Sequence, residues 1–137
     1  MTMHIYTDGA SRSNPGKAAI GYQIYEDDKV IKQAGKFLGV KTNNEAEYTA
    51  MITALDAASK LTKGEVHCHS DSELLVKQLR GEYKVKEPRL KVLFDEVKKK
   101  EQHFEKVSYT HLRREHPRIA QCDQLANDAL DDQMRAP

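Results

Sequence analysis

Short apolar segments and turn residues alternate over the first part of the chain. Three of these segments are rich in the β-branched and aromatic side chains that strands favour, namely residues 3–7, 19–25 and 30–38. The polar run 26–29 between the second and third segments predicts a hairpin. Asp8 and Gly9, together with the turn residues 14–16, predict that the first strand ends at Asp8 in a loop. The chain is therefore expected to begin with three successive strands.

The spacing of apolar residues changes to the period of a helix at about residue 44. Apolar side chains recur at steps of three and four residues over 44–61, and Thr42 or Asn43 is a suitable helix cap. The same reasoning predicts the remaining elements: a strand at 66–70, a helix at about 72–80, a helix that begins at Pro88 and whose inner face reaches Phe104, a strand at 106–112 and a helix at 119–134. The order βββαβααβα predicts an α/β fold in which helices flank a mixed sheet, and residues 1–137 are expected to form a single domain.

The composition is that of a folded domain rather than a disordered or membrane-spanning chain. Of the 137 residues, 39% are hydrophobic and 31% are charged, and the net charge is +1. No apolar run approaches the ~18–20 residues of a membrane-spanning helix, and no signal peptide is visible, so we expect a cytoplasmic protein without a membrane partner. Cys68 and Cys122 are expected to be reduced and buried.

Glu47 shares the apolar face of the predicted helix at 44–61. On a period of 3.6 residues it aligns with Met51, Ala54 and Leu55, whereas Glu45 lies off this face. Burying an unpaired carboxylate costs several kcal/mol, so a buried Glu47 must be protonated, paired or bound to a cation. A solvated acid in the first turn, favoured by the helix dipole, explains Glu47 about equally well when it is considered alone.

Three aspartates occupy positions where α/β proteins gather functional groups. Asp8 and Asp71 each follow a predicted strand, and ligands of such sheets bind at the carboxyl ends of strands. Asp123 lies in the first turn of the last predicted helix. Turn, cap or dipole positions explain each aspartate by itself. With Glu47, however, the four acids could converge at one sheet edge, where hard divalent cations such as Mg²⁺ or Mn²⁺ would relieve their repulsion.

A zinc site is the weaker interpretation of the metal-ligating residues. His67 and His69 point to one side of a predicted strand, and His111 and His116 lie in the last third of the chain. These histidines do not follow a recognised zinc spacing. The acids are therefore the better candidates for a metal site.

Several ordered motifs carry a resemblance to a known family. They are Tyr-Thr-Asp-Gly-Ala at 6–10, Asn-Pro-Gly at 14–16, Thr-Asn-Asn-Glu-Ala-Glu at 42–47, Ser-Asp-Ser at 70–72 and Cys-Asp-Gln-Leu-Ala at 122–126. This set, which spans nearly the whole chain, resembles type 1 ribonuclease H. The resemblance implies a ribonuclease H-like five-stranded mixed sheet in which the first and fourth strands are parallel. It also implies an acidic tetrad of Asp8, Glu47, Asp71 and Asp123.

The resemblance further implies an activity and its cofactors. The tetrad would hold two Mg²⁺ or Mn²⁺ ions for hydrolysis of the RNA strand of an RNA–DNA hybrid, with products that carry 5′-phosphate and 3′-hydroxyl ends. Double-stranded RNA stays open as a second substrate. The family's substrate contacts match Asn14, Asn43 and Asn44, and Thr42 matches a position that holds a phosphate of the DNA strand. A monomer is expected.

The chain departs from the family pattern at several positions. Arg113 stands where the catalytic-loop histidine is common, ten residues before Asp123. An arginine is not a proton shuttle near neutral pH, but it is able to hold a phosphate or assist product release. Ile119 replaces a common asparagine, and Glu73 replaces a frequent glutamine. The basic, tryptophan-bearing protrusion is missing, since only the short connection 80–87 stands in its place.

These departures leave a second hypothesis open. The chain is either a metal-dependent endoribonuclease with Arg113 in its catalytic loop, or a nucleic-acid-binding module that keeps the fold and does little chemistry. A phosphoacceptor receiver domain would also gather aspartates at strand ends. It is disfavoured because it needs a helix after the first strand, where this chain has a predicted hairpin.

Overall fold

The computed structural model describes residues 2–135 as one sheet with four helices. The elements are β1 (Thr2–Ser11), β2 (Gly16–Glu26), β3 (Lys29–Lys41), α1 (Asn43–Ser59), β4 (Glu65–Ser70), α2 (Glu73–Leu79), α3 (Pro88–Glu101), β5 (Lys106–His111) and α4 (Pro117–Arg135). Their order confirms the predicted βββαβααβα arrangement. None of these helices is long and apolar enough to cross a membrane.

The sheet is mixed, as predicted. Its strand order is β3-β2-β1-β4-β5. β1, β2 and β3 pair antiparallel, whereas β4 runs parallel to both β1 and β5. The central strand β1 therefore has one antiparallel and one parallel neighbour, and the two kinds of pairing extend over different lengths of the strand.

The prediction that the first strand ends at Asp8 is wrong. Pairing of β1 with β4 stops where Thr7 faces Ser70, but pairing with β2 continues until Ser11 faces Ala18. Long-range pairing with β2 therefore extends β1 through the turn-rich residues that were expected to end it. Asp8 still lies at the edge of the parallel half of the sheet.

Helices cover both faces of β1. Met3 and Ile5 of β1 belong to a large core cluster with Tyr48 and Met51 of α1, whereas Tyr6 packs with residues of α4 on the opposite face. This alternation follows from the two-residue period of a strand. Cys68 and Cys122 are free and buried, as expected.

Candidate active site

Asp8 and Asp71 lie side by side because β1 and β4 are parallel. The last residues paired between these strands are Thr7 and Ser70, and an aspartate follows each of them. Asp8 is only 6% exposed, and Asp71 is half-buried. Asp71 does not cap α2, because the N-cap is Ser72, whose hydroxyl accepts a hydrogen bond from the backbone N–H of Leu75. The cap explanation for Asp71 is thereby removed.

Glu47 comes to the same edge from α1, which crosses over the end of β1. Its Oε1 accepts a hydrogen bond of 2.6 Å from the backbone N–H of Gly9. A Cβ atom at Gly9 would overlap the backbone of Ala46 and Glu47. Glycine at this position thus permits the close approach of helix and strand that brings Glu47 next to Asp8.

Asp123 is supplied by α4 from the other face of the sheet. Cys122 Sγ donates to the carbonyl oxygen of Tyr6 at 3.2 Å, and a Cβ at Gly21 would overlap the Cys122 carbonyl. The prediction that Asp123 lies in the first turn is wrong, since α4 begins at Pro117 and Asp123 falls in its second turn. The helix dipole acts within the first turn, so it does not explain this aspartate.

The carboxylates converge on one cavity. One carboxylate oxygen from each of Asp8, Glu47 and Asp71 lies within 4.8 Å of the other two. Asp123 lines the same cavity, and its negative charge helps to raise the pKa of Asp8. The cavity has a volume of about 340 Å³, and its lining consists of Asp8, Gly9, Ala10, Ser11, Asn43, Glu47, Asp71, Arg114 and Asp123.

Burial and mutual repulsion make the charged forms of these acids unfavourable. Burial raises the pKa of Asp8 to about 10, with further contributions from the negative charges of Glu47, Asp71 and Asp123. Burial and the charge of Asp71 likewise raise the pKa of Glu47 well above its usual value. The metal-free cluster therefore retains protons at pH values where isolated carboxyl groups are ionised.

This donor set fits divalent cations that prefer oxygen ligands. Asp71 Oδ1 is buried and has no hydrogen-bond partner among the described residues. Buried acceptors are normally paired, so this oxygen is available for a cation. All of the converging groups are carboxylates, which suit Mg²⁺ or Mn²⁺ better than softer metals.

Comparison with known proteins agrees with the fold. A family model described as reverse transcriptase-like matches residues 6–129. The chain is 39% identical to the ribonuclease HI of Halobacterium salinarum over 133 residues, which cover 95% of this chain and 65% of the relative. The crystal structure of ribonuclease H1 from that archaeon superposes with a TM-score of 0.91 at 38% identity, covering 96% of this chain and 99% of the other.

The chain belongs to the type 1 ribonuclease H family. A crystal structure of another member, LC11 ribonuclease H1 in complex with an RNA/DNA hybrid, has a TM-score of 0.90 and 38% identity, and covers 96% of this chain and 99% of that one. A bifunctional protein of Mycobacterium tuberculosis is 38% identical over 133 residues. The chain spans only 65% and 36% of the lengths of the two curated relatives.

Asn14 and Asn43 are joined by a hydrogen bond beside the acid cavity. Asn14 Oδ1 accepts from the backbone N–H of Asn43 at 3.1 Å. Asn43 Oδ1 accepts from the backbone N–H of Ser11 at 3.0 Å. Because a backbone N–H must face an oxygen, each amide carbonyl is held by a backbone N–H, and each NH₂ group is left to donate to other groups.

Thr42 and Asn44 line a second cavity next to the first. Its volume is about 330 Å³, and its lining consists of Asn14, Thr42, Asn44, Glu45, Glu87, Arg89 and Leu90. Thr42 is the N-cap of α1 and forms a capping box with Glu45. Of the two predicted caps, Thr42 and Asn43, the structure therefore has Thr42. Asn14 borders this cavity and also binds Asn43, which lines the acid cavity. The predicted substrate-contact residues thus form one continuous surface.

The loop after β5 differs from the sequence-based expectation. Arg113 and Arg114 are both exposed, but only Arg114 is part of the lining of the acid cavity. Sequence reasoning missed Arg114. Two adjacent arginines offer no sequence signal that tells which of them faces the acids.

The histidines form a separate cluster. His4 Nδ1 lies 3.2 Å from His69 Nε2, and the ring of His4 stacks on that of His67, so both β4 histidines share one side of the strand, as predicted. Among residues 2–135, the only group of three or more side chains arranged to hold a metal is Asp8, Glu47 and Asp71. The zinc interpretation therefore has no support in the described residues.

Proposed function

We propose that this chain is an endoribonuclease that hydrolyses the RNA strand of RNA–DNA hybrids. The observation that carries the proposal is the convergence of buried Asp8 with half-buried Glu47 and Asp71, one carboxylate oxygen of each lying within 4.8 Å of the others. The relative solved with an RNA/DNA hybrid supports the substrate class. Repulsion among these carboxylates lowers the stability of the metal-free protein. Their convergence therefore favours a functional role over a structural one.

Asp8, Glu47, Asp71 and Asp123 are proposed to hold two divalent cations, Mg²⁺ or Mn²⁺. When bound, such ions activate water for in-line attack on a phosphodiester and stabilise the charge that develops on the leaving 3′ oxygen. Two hydrogen bonds fix the positions of these acids. The Gly9 N–H donates to Glu47, and Cys122 Sγ donates to the Tyr6 carbonyl and so anchors the helix that carries Asp123. The expected products carry 5′-phosphate and 3′-hydroxyl ends.

Asn14, Asn43 and Asn44 are proposed to contact the hybrid. With their carbonyls bonded to backbone N–H groups, Asn14 and Asn43 act as donors toward the oxygens of the substrate. A ribose 2′-hydroxyl accepts such a bond, and its presence distinguishes RNA from DNA. Thr42 Oγ1 accepts from the backbone N–H of Glu45, so its hydroxyl hydrogen is free to donate to a phosphate of the DNA strand.

Arg113 is proposed to assist turnover from the loop before α4. It is exposed, and its guanidinium is always protonated, so its role is to attract phosphate rather than to transfer a proton. We expect Arg113→Ala to slow multiple-turnover cleavage while leaving measurable activity. A monomeric, cytoplasmic enzyme remains our expectation.

A gel assay with three labelled substrates tests this function. The RNA–DNA hybrid, duplex RNA and duplex DNA are incubated in parallel with Mg²⁺, with Mn²⁺ or with EDTA. We expect cleavage of the RNA strand in the hybrid, dependence on either cation, and no cleavage of duplex DNA. Cleavage of duplex RNA would extend the substrate range.

The alternative of a binding module gives a different result in the same experiment. A protein that shifts the hybrid in a native gel but cuts nothing with either cation would contradict the proposed catalysis. The departures at Arg113 and Ile119 would then explain the absence of activity in a chain that keeps the fold and the acids.

A further inference from the structure

Backbone hydrogen bonds anchor the loop between β5 and α4, and the two arginines of this loop take different positions relative to the acid cavity. The backbone N–H of Leu112 donates to the carbonyl of Ser70 at 2.9 Å, and its side chain packs against the cluster that contains Tyr6. The backbone N–H of His116 donates to the carbonyl of Arg113 at 3.0 Å, which closes a turn. Within this turn Arg114 lines the acid cavity and Arg113 does not.

Arg114 is the only cationic side chain in the lining of the acid cavity. Four other arginines are engaged in ion pairs within 4.0 Å, namely Arg12, Arg80, Arg118 and Arg135, whereas Arg89 and Arg113 have none among the described residues. Within residues 2–135 no such ion pair involves Arg114. Arg114 is exposed and lines the cavity, so its guanidinium is able to bind an anion that enters the cavity.

We propose that Arg114, rather than Arg113, contacts the phosphate that is cleaved. This inference rests on the proposed function. A guanidinium fits two phosphate oxygens at once, and it keeps its proton throughout the reaction. When water adds to phosphorus and the bond to the 3′ oxygen breaks, the 5′-phosphate product gains negative charge, and Arg114 is positioned to hold this charge.

The position of Arg114 has opposite effects on cations and phosphates. Its positive charge repels metal ions bound by the four acids, while it attracts the phosphate. Removing it should therefore strengthen metal binding and weaken catalysis. Removing a residue with a purely structural role in the loop would weaken both metal binding and catalysis. Tighter metal binding together with slower catalysis is therefore expected only if Arg114 acts through its charge.

Calorimetric titration with Mn²⁺ alone measures the first effect without nucleic acid. The proteins compared are wild type, Arg114→Ala, Arg113→Ala and Lys99→Ala, which removes the same charge from an exposed site on α3. We expect Arg114→Ala to bind Mn²⁺ about threefold more tightly, from loss of a partly screened repulsion. Arg113→Ala and Lys99→Ala should show clearly smaller changes. An Arg113→Ala effect equal to or larger than that of Arg114→Ala would overturn the inference.

Cleavage of the RNA–DNA hybrid measures the second effect. We expect Arg114→Ala to lower kcat by about tenfold, the loss of one charge-assisted hydrogen bond, and Arg114→Lys to restore part of it. An unchanged kcat in Arg114→Ala would contradict the inference while leaving the proposed function intact. If the wild type cuts nothing, the proposed function fails, the phosphate role fails with it, and the Mn²⁺ titration still reports which arginine faces the acids.

Discussion

Asp8 makes the stability of the metal-free protein dependent on pH. Its pKa of about 10 lies far above the ~3.9 of an unfolded aspartate, so between these values the folded state binds more protons than the unfolded state. The free energy of unfolding should therefore fall as pH rises through this window. We expect a loss of about 2 kcal/mol between pH 5 and pH 8 in EDTA, measured by urea denaturation.

Two comparisons check the origin of this pH dependence. Asp8→Asn should flatten the curve, because it removes one titrating group and one negative charge from the cluster. Saturating Mg²⁺ should reverse the loss in the wild type, since it binds the ionised folded form. A wild-type stability that rises from pH 5 to pH 8 without metal would contradict the assigned repulsion.

Asn43 allows the NH₂ donor to be removed while its internal hydrogen bond is kept. In Asn43→Asp a carboxylate oxygen still accepts from the Ser11 N–H, so the loop and α1 should keep their structure. The two amide N–H donors are lost, and we expect affinity for the hybrid to fall about tenfold, measured by fluorescence anisotropy in EDTA.

Gln124→Glu is the control for the added charge in this experiment. It places the same negative charge on α4 beside Asp123, at an exposed side chain with no assigned substrate contact. Equal losses of affinity in Asn43→Asp and Gln124→Glu would show that charge, rather than the missing donors, explains the effect.

Individual residues differ in how far the sequence could predict their roles. The sequence indicated an inward-facing Glu47 because this residue shares a helix face with Met51 and Leu55, which lie in the core of the structure. The orientation of the Asn43 amide could not be predicted, because it depends on a hydrogen bond from Ser11, which lies 32 residues earlier in the chain. The choice between Arg113 and Arg114 likewise depends on how Leu112 is anchored.

At the scale of elements, the N-terminus of α1 links helix stability to the position of Glu47. Thr42 caps α1, and its hydroxyl satisfies the backbone N–H of Glu45. Thr42→Ala should lower the free energy of unfolding by about 1 kcal/mol, whereas Thr42→Ser, which keeps the hydroxyl, should cost much less. Equal losses for the two substitutions in urea denaturation would contradict the capping role.

Element types were predictable from periodicity, but some boundaries were not. β1 extends beyond Asp8 because β2 continues to pair with it up to Ser11. α4 begins at Pro117 rather than at the first apolar residue, Ile119, since proline suits the first turn of a helix. Both differences come from interactions or preferences outside the hydrophobic pattern, and both change how an acid is positioned.

At the scale of the whole molecule, the two halves of the sheet bring the acids together. The parallel pair of β1 and β4 aligns Asp8 with Asp71, while α1 and α4 supply Glu47 and Asp123 from opposite faces. The five strands and the parallel pairing of the first with the fourth were implied by the family resemblance, whereas composition and periodicity alone indicated only a mixed sheet with flanking helices. A single domain over residues 1–137 stays a prediction.

The most direct test of the account is the cleavage rate of an RNA–DNA hybrid in Mg²⁺ for wild type, Asp8→Asn and Asp95→Asn. Asp95 is exposed and ion-paired with Lys91, so its substitution controls for the loss of one carboxylate far from the cavity. We predict that the wild type and Asp95→Asn cut the RNA strand, while Asp8→Asn stays folded and cuts none of it. Cleavage by Asp8→Asn at the wild-type rate would contradict the central role of the four acids.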